Sequence, residues 1–433
     1  MNQPYQPARA WLTTAMLFLL VAINFIDKVV LGLVAAPLMK ELSLSPAQYG
    51  LLAGSFFFLF AVTGVAGGFL ANRWPTRWLL LGMAVVWALV QLPIAYGSSL
   101  ATLIACRVLL GAGEGPAQPI AIHACYKWFP DARRNLPVSV FQQGGVFGMV
   151  VAGIAVPWID AVWGWRTNFV VLAVLGLAWA VLWLAFGREG SLDAHATSSA
   201  GDDAAPASGE NAPTRRVAYR VLLTDRTVLS IIALHFAAFL TLALVLTWLP
   251  AYLSEGLGYA PRQAGAVFAA VLVTSAPVSL LLSGWSQRMM ARGVASRLAR
   301  GAFVCACLGA GGLLLIATAV CDCGPAVKVV LIALAIATTP IVYSLGPAMI
   351  AQITPPAQRG SALAIEYSVA WIAGIVAPPA VGWMIRAAHN NVAAGFEQGL
   401  LLTGALLVVL AAAGLKVLNP ERSLERLSRR VTA

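Results

Sequence analysis

Residues 11–36 read WLTTAMLFLLVAINFIDKVVLGLVAA. A helix needs about 20 apolar residues to cross the hydrocarbon core of a bilayer, and this run is long enough. It nevertheless carries Asn24, Asp27 and Lys28 inside it. A charge at mid-bilayer costs roughly 2.5–3.5 kcal/mol on insertion scales, so these side chains must face a lined interior rather than lipid. The stretch from Trp11 to Ile23 has the look of a signal-peptide core. No small-residue cleavage site follows it, and the polar residues lie within a continuing span, so it reads as an uncleaved helix.

The rest of the chain repeats the pattern. Further apolar runs fall at approximately 47–71, 78–98, 101–125, 137–159, 164–187, 228–253, 262–287, 297–320, 326–350, 360–385 and 396–418, giving an all-α integral membrane protein with 12 transmembrane helices. Hydrophobic residues make up 60% of the 433 positions and charged residues 10%, and mean hydropathy is +0.82. No soluble domain of ordinary composition comes near this. The net charge of +11 would point to nucleic acid in a soluble protein, but its placement argues otherwise. Apart from Lys28 and Arg107 inside spans, only Lys40, Arg166, Arg262, Lys328 and Arg386 fall on one side of the barrier, and every other basic residue falls on the opposite side. By the positive-inside rule the N- and C-termini are then cytoplasmic, and an even number of spans agrees.

One long polar stretch, 188–227, is rich in Ala, Ser, Asp, Gly and Pro before turning basic at Arg215, Arg216 and Arg220. It reads as a cytoplasmic linker, disordered for much of its length. It separates an N-terminal six-helix half, 1–187, from a C-terminal six-helix half, 228–418, with a cytoplasmic tail at 419–433. A weak echo relates the halves: Gly68 to Arg77 follows the second run, and Gly284-Trp285-Ser286-Gln287-Arg288 follows the eighth. Two such halves with a site between them at the midplane form a transporter architecture. Cys321-Asp322-Cys323 lies between spans without His or further Cys nearby, so neither a metal site nor a strained Cys-x-Cys disulfide is expected.

In the fourth run Arg107 and Glu114 are seven residues apart, which puts them on one helix face about 10 Å apart along the axis. Small residues Gly111, Ala112, Gly113 and Gly115 surround them and leave room for a neighbouring helix or a ligand. One reading is an ion-pair network that only joins spans 1 and 4, though such burial is seldom stabilising relative to apolar packing. The other gives separate jobs. Arg107 offers a planar fork to a substrate anion, with Lys28 as second cation. Protonating Asp27 and Glu114 removes competitors for those cations, so proton and anion binding favour one another.

Gly68 to Arg77 resembles the loop 2–3 signature of the major facilitator superfamily, with Asn72 in place of the acid and Pro75 in place of the second Gly. Within it the chain resembles the anion:cation symporter family. Asn24 to Lys28 matches its first-span pattern with Phe for Tyr and Lys for Arg, Arg107 and Glu114 match its fourth-span pair, and Trp248 to Leu253 matches its seventh-span Trp-x-Pro-x-Tyr-Leu. The resemblance covers essentially the whole chain. It implies proton-coupling roles for Asp27 and Glu114, coupling and substrate contact for Lys28 and Arg107, and a gating role for Asn72, Arg73 and Arg77. It also implies a monomer in a bacterial cytoplasmic (inner) membrane that needs neither cofactor nor metal.

Other polar groups inside the runs have two readings each. Gln142 and Gln143 resemble a family position facing substrate, and packing between helices fits equally. Tyr343 with Ser344 and Tyr367 with Ser368 are candidates to hydrogen-bond a ligand. Glu366 is a third intramembrane acid, either a cytoplasmic gate or a side chain snorkelling to the surface. His235 lies among apolar residues, where a packing histidine is commoner than a proton carrier. The function these residues favour is import of a small organic anion, such as a sugar acid or aromatic acid, by proton symport. An exporter or anion exchanger of the same superfamily is the alternative. A membrane enzyme or sensor is least favoured, since no metal spacing, Ser-His arrangement or phosphate loop is present.

Overall fold

A computed structural model of the chain describes residues 6–71, 74–129, 135–190, 217–355 and 358–431. Among the described residues, twelve helices are long and apolar enough to cross a bilayer: Pro7–Leu33, Pro46–Gly67, Thr76–Tyr96, Leu100–Cys125, Val140–Trp163, Trp165–Phe186, Arg226–Thr247, Pro261–Ala291, Arg297–Val320, Pro325–Ile353, Ile365–Ala387 and Val392–Val417, here spans 1 to 12. The all-helical, twelve-span class expected above is the one observed.

Helix ends follow local chemistry. Pro7, Pro261 and Pro325 occupy first-turn positions, where a missing N–H is no loss. Ser99, Asp225 and Asn391 accept from the N–H groups of Thr102, Thr227 and Ala394 and so cap spans 4, 7 and 12. Span 4 is interrupted between Glu114 and Ala117, at Pro116, directly after its charged face.

The chain packs as two compact units, one of Met1–Ser43 and Ser55–Asn211, the other of Leu44–Gly54 and Ala212–Ala433. In the first, the Trp179 indole of span 6 donates to the Met16 carbonyl of span 1 at 2.8 Å, and the Trp183 indole donates to Arg77 O at the start of span 3. The Phe18 and Phe147 rings join spans 1 and 5.

In the second unit the opening turns of span 2 lie against span 11. Gly50 permits the approach, because an added Cβ would sit 2.4 Å from the Pro378 carbonyl oxygen. Beside it the Tyr49 hydroxyl donates to Thr247 O, and the Trp248 indole donates to Pro378 O. Leu44–Gly54, which makes these contacts within the second unit, falls inside the 1–187 half of the sequence reading.

The ends of the expected linker and tail are ordered. Val217 exchanges two backbone hydrogen bonds of 2.8 Å with the Gln358 side chain, and a short helix occupies Tyr219–Leu223. Residues 191–216 lie outside the described residues. The tail forms a helix, Pro420–Val431, whose Ser423 hydroxyl donates to Asp225 at 2.8 Å.

Candidate functional site

In the first unit, Asn24, Asp27 and Lys28 share one face of span 1, as their i, i+3, i+4 spacing requires. Lys28 Nζ donates to Asn24 Oδ1 and, at 2.7 Å, to Glu114 Oε2 of span 4. Both members of that ion pair are buried, with side-chain exposures of 6% and 0%. Three rings, Phe25, Phe56 and Phe60, surround the ammonium at 4.8, 5.8 and 5.6 Å from their centres. Such faces attract a desolvated cation.

Arg107 lies one turn pair below Glu114 on span 4. Its guanidinium sits 4.7 Å from the Phe56 ring centre, and Nη1 donates to the main-chain oxygen of Asp27 at 3.4 Å. The Asp27 carboxylate accepts from Gln91 Nε2 of span 3 at 2.7 Å. Spans 2 and 4 meet here closely: a Cβ on Gly111 would lie 1.7 Å from the Phe56 carbonyl oxygen. Two acids, two cations and two amides thus fill one buried cluster contributed by spans 1, 3 and 4.

The ion pair joins spans 1 and 4, as the network reading of the sequence has it. Glu114 takes the cation of span 1, Lys28, while Arg107 reaches the backbone and an aromatic face. Gln91 was not among the expected site residues. A neutral amide in an apolar helix carries no charge signal, and only its need for a partner once buried hints at it.

The other expected residues divide. Gln142 and Gln143 of span 5 are exposed. Asn72 and Arg73 lie outside the described residues. Arg77 is held at the start of span 3, with Nη2 donating to Leu184 O at 2.9 Å and its backbone N–H donating to Glu189 Oε2. Glu189, also unforeseen, accepts from the Thr76 N–H and hydroxyl and pairs with Lys127. Burial pushes the Glu189 carboxyl up, but Lys127 and the Arg77 and Thr76 N–H groups outweigh it, so the carboxyl sits below its ordinary value.

In the second unit Glu366 is fully buried and bonds His235 Nδ1 of span 7, which corrects the snorkelling reading: a partner one helix away replaces the water a snorkelling carboxylate seeks. His235 accordingly has a polar partner in its apolar surroundings. The rings of Tyr343 and Tyr367 rest against the imidazole at 4.9 and 5.1 Å. Ser344 is exposed and shares a hydrogen bond with Ser283, and Ser368 is half-buried.

The Major Facilitator Superfamily pattern matches residues 17–339. A hexuronate transporter of Bacillus subtilis is 26% identical over 412 residues, spanning 93% of each chain. A probable sulfoacetate transporter, SauU, of Cupriavidus necator is 30% identical over 413 residues, spanning 92% of this chain and 91% of its own. The fold is similar to the crystal structure of a bacterial homolog to the human lysosomal transporter Spinster, with a TM-score of 0.78 at 18% identity and 99% of both chains covered.

Proposed function

Because this chain belongs to the Major Facilitator Superfamily, we propose that it is a secondary active transporter that imports a small organic anion, a carboxylate such as a sugar acid or aromatic acid, by proton symport with alternating access. The two relatives named for hexuronate and sulfoacetate support an anionic cargo. In this reading the protein is a monomer of a bacterial cytoplasmic membrane with both termini in the cytoplasm, as the placement of its basic residues favours.

One observation carries the coupling: the same buried cluster holds both cations and both acids, and Glu114 already occupies Lys28 at 2.7 Å. An incoming carboxylate competes with Glu114 for that ammonium. A proton on Glu114 removes the competitor, and a proton on Asp27 removes a second negative charge beside Arg107. Each proton therefore strengthens anion binding and each anion strengthens proton binding by the same factor. Arg107, charged at every physiological pH and set 4.7 Å from the Phe56 ring centre, presents its fork to the carboxylate. Gln142 and Gln143 supply further polar contacts from span 5.

The test is uptake of hexuronates, sulfoacetate and aromatic acids into proteoliposomes with and without an imposed pH gradient. Arg107→Ala should abolish uptake while the protein still inserts and folds. Glu114→Gln and Asp27→Asn should keep counterflow exchange but lose gradient-driven accumulation. Accumulation at the wild-type level in both acid variants would sink the coupling assignment and promote the anion exchanger.

A further inference from the structure

The second unit holds a titratable pair that the proposed coupling does not use. His235 on span 7 and Glu366 on span 11 bond each other through Nδ1 and Oε1, with exposures of 1% and 0%. The other carboxylate oxygen, Oε2, is buried with no hydrogen-bond partner among the described residues.

The groups packed around the pair set its charge. Span 10 presents the Tyr343 ring, span 11 the Tyr367 ring, and Gly346 of span 10 lies alongside Oε1. Tyr367 directs its hydroxyl to the Tyr343 carbonyl at 3.3 Å. On span 12, Glu397 bonds Tyr252 and Lys328 rather than the pair. Among the described residues no Lys or Arg forms an ion pair with Glu366. A carboxylate beside a neutral imidazole would be a net charge of −1 in an apolar setting, and burying such a charge uncompensated is costly. Imidazolium beside a carboxylic acid is +1 and equally costly. With Nε2 protonated, the state with one shared proton, written either Nδ1–H···Oε1 or Nδ1···H–Oε1, is neutral.

We propose that His235 and Glu366 form a second proton-binding site of this transporter, distinct from the Asp27 and Glu114 carboxyls, which holds one shared proton at rest and gains another when negative charge enters its surroundings. The orphaned Oε2 is the acceptor for the added proton, which leaves imidazolium at His235 and a carboxylic acid at Glu366. The pair gains no net charge from moving the shared proton and one positive charge from accepting the second. It therefore responds to an anion in a way that a purely structural tie between spans 7 and 11 does not. The site exists whether or not transport is proton-driven. Only its contribution to the proton-to-anion ratio rests on the symport reading.

Infrared difference titration of the full-length protein in nanodiscs tests the site without any substrate. Across the pH range the wild type should show a carboxylic-acid C=O band that Glu366→Gln removes. His235→Gln should move that band's midpoint by about one pH unit or more, the separation that marks interacting sites. A band set and titration unchanged by Glu366→Gln would overturn the proposal. So would a Glu366 band whose midpoint ignores His235→Gln. Glu366→Gln keeps the side-chain shape and a hydrogen bond to Nδ1, so the protein is expected to fold, which thermal unfolding checks. In proteoliposomes with galacturonate or sulfoacetate as probe, protons moved per anion should fall in Glu366→Gln. If wild type shows no pH-driven uptake of either probe, the symport reading fails while the infrared result still decides the site.

Discussion

Lys28→Met removes the ammonium while keeping most of the stem that packs against Phe25, Phe56 and Phe60. The partner left behind, Glu114, has a fully buried side chain. At 2.7 Å and an effective dielectric near 20, the gross attraction is roughly 6 kcal/mol, and the desolvation of both ions offsets most of it, so the pair as a whole is near neutral against an apolar replacement. Breaking it from one side is different, because the remaining charge keeps its desolvation cost and loses its compensation. Lys28→Met is therefore expected to cost about 3–5 kcal/mol. Glu114→Gln should cost somewhat less, since Asn24 and the three rings still hold the ammonium and such rings contribute about 0.5–2 kcal/mol. The double variant should recover most of the loss. Thermal unfolding of the four proteins in detergent closes the cycle. At roughly 2–4 °C per kcal/mol for units of this size, Lys28→Met should melt about 6–20 °C lower than wild type. Losses in the double variant equal to the sum of the singles would refute the pair as a unit, because independent sites add and coupled ones do not.

Gly111→Ala should lower stability by about 1–3 kcal/mol and reduce uptake, because its Cβ must displace the Phe56 carbonyl beneath Arg107, whereas Gly82→Ala, with open space around its Cβ, should leave the melting temperature unchanged. Glu189→Gln should destabilise at neutral pH by about 1 kcal/mol, a value discounted for the carboxyl's partial exposure. The folded carboxyl lies below its ordinary value, so its contribution is present above the unfolded range near pH ~4.3 and is lost as pH falls further; a melting difference constant from neutral pH to below that range would contradict this. Asp225→Ala removes the cap of span 7 and the acceptor of Ser423. It should cost about 1–2 kcal/mol and speed proteolysis of the Pro420–Val431 helix, and an unchanged cleavage rate would show that the tail docks by other contacts.

The spans were legible because bilayer thickness imposes a length on every apolar run, and a residue cannot hide in it without changing the local average. The edges were not. The first run, read as 11–36, is a helix over Pro7–Leu33, since Pro7 starts it ahead of the apolar core and the helix breaks at Val34 before Ala35–Glu41. The membership of the buried cluster followed from the same reasoning, as charges at Asp27, Lys28, Arg107 and Glu114 had to leave the lipid. A tie between spans 1 and 4 followed as well, but not which acid takes which cation. Seven-residue spacing puts Arg107 and Glu114 on one face, but side chains two turns apart point along the same line and do not converge, so Glu114 is reached instead from span 1.

His235 and Glu366 show what a stricter accounting of the sequence would have caught. Each was weighed alone, one as packing and one as a gate or a snorkelling acid, although each sits in an apolar run where an unpartnered polar group is costly. Applied to every such group at once, that cost makes partnering close to compulsory. The basic residues of the C-terminal half all fall outside its apolar runs or in the first or last turn of one, so the cheapest partner for an acid in span 11 is another titratable side chain in a neighbouring helix. Span 7 offers His235. The same accounting reaches Gln91, whose amide has no use in span 3 except toward a buried acceptor such as Asp27. In a membrane protein the list of polar residues inside spans is thus also a list of pairs, and the sequence leaves open only which helices bring each pair together.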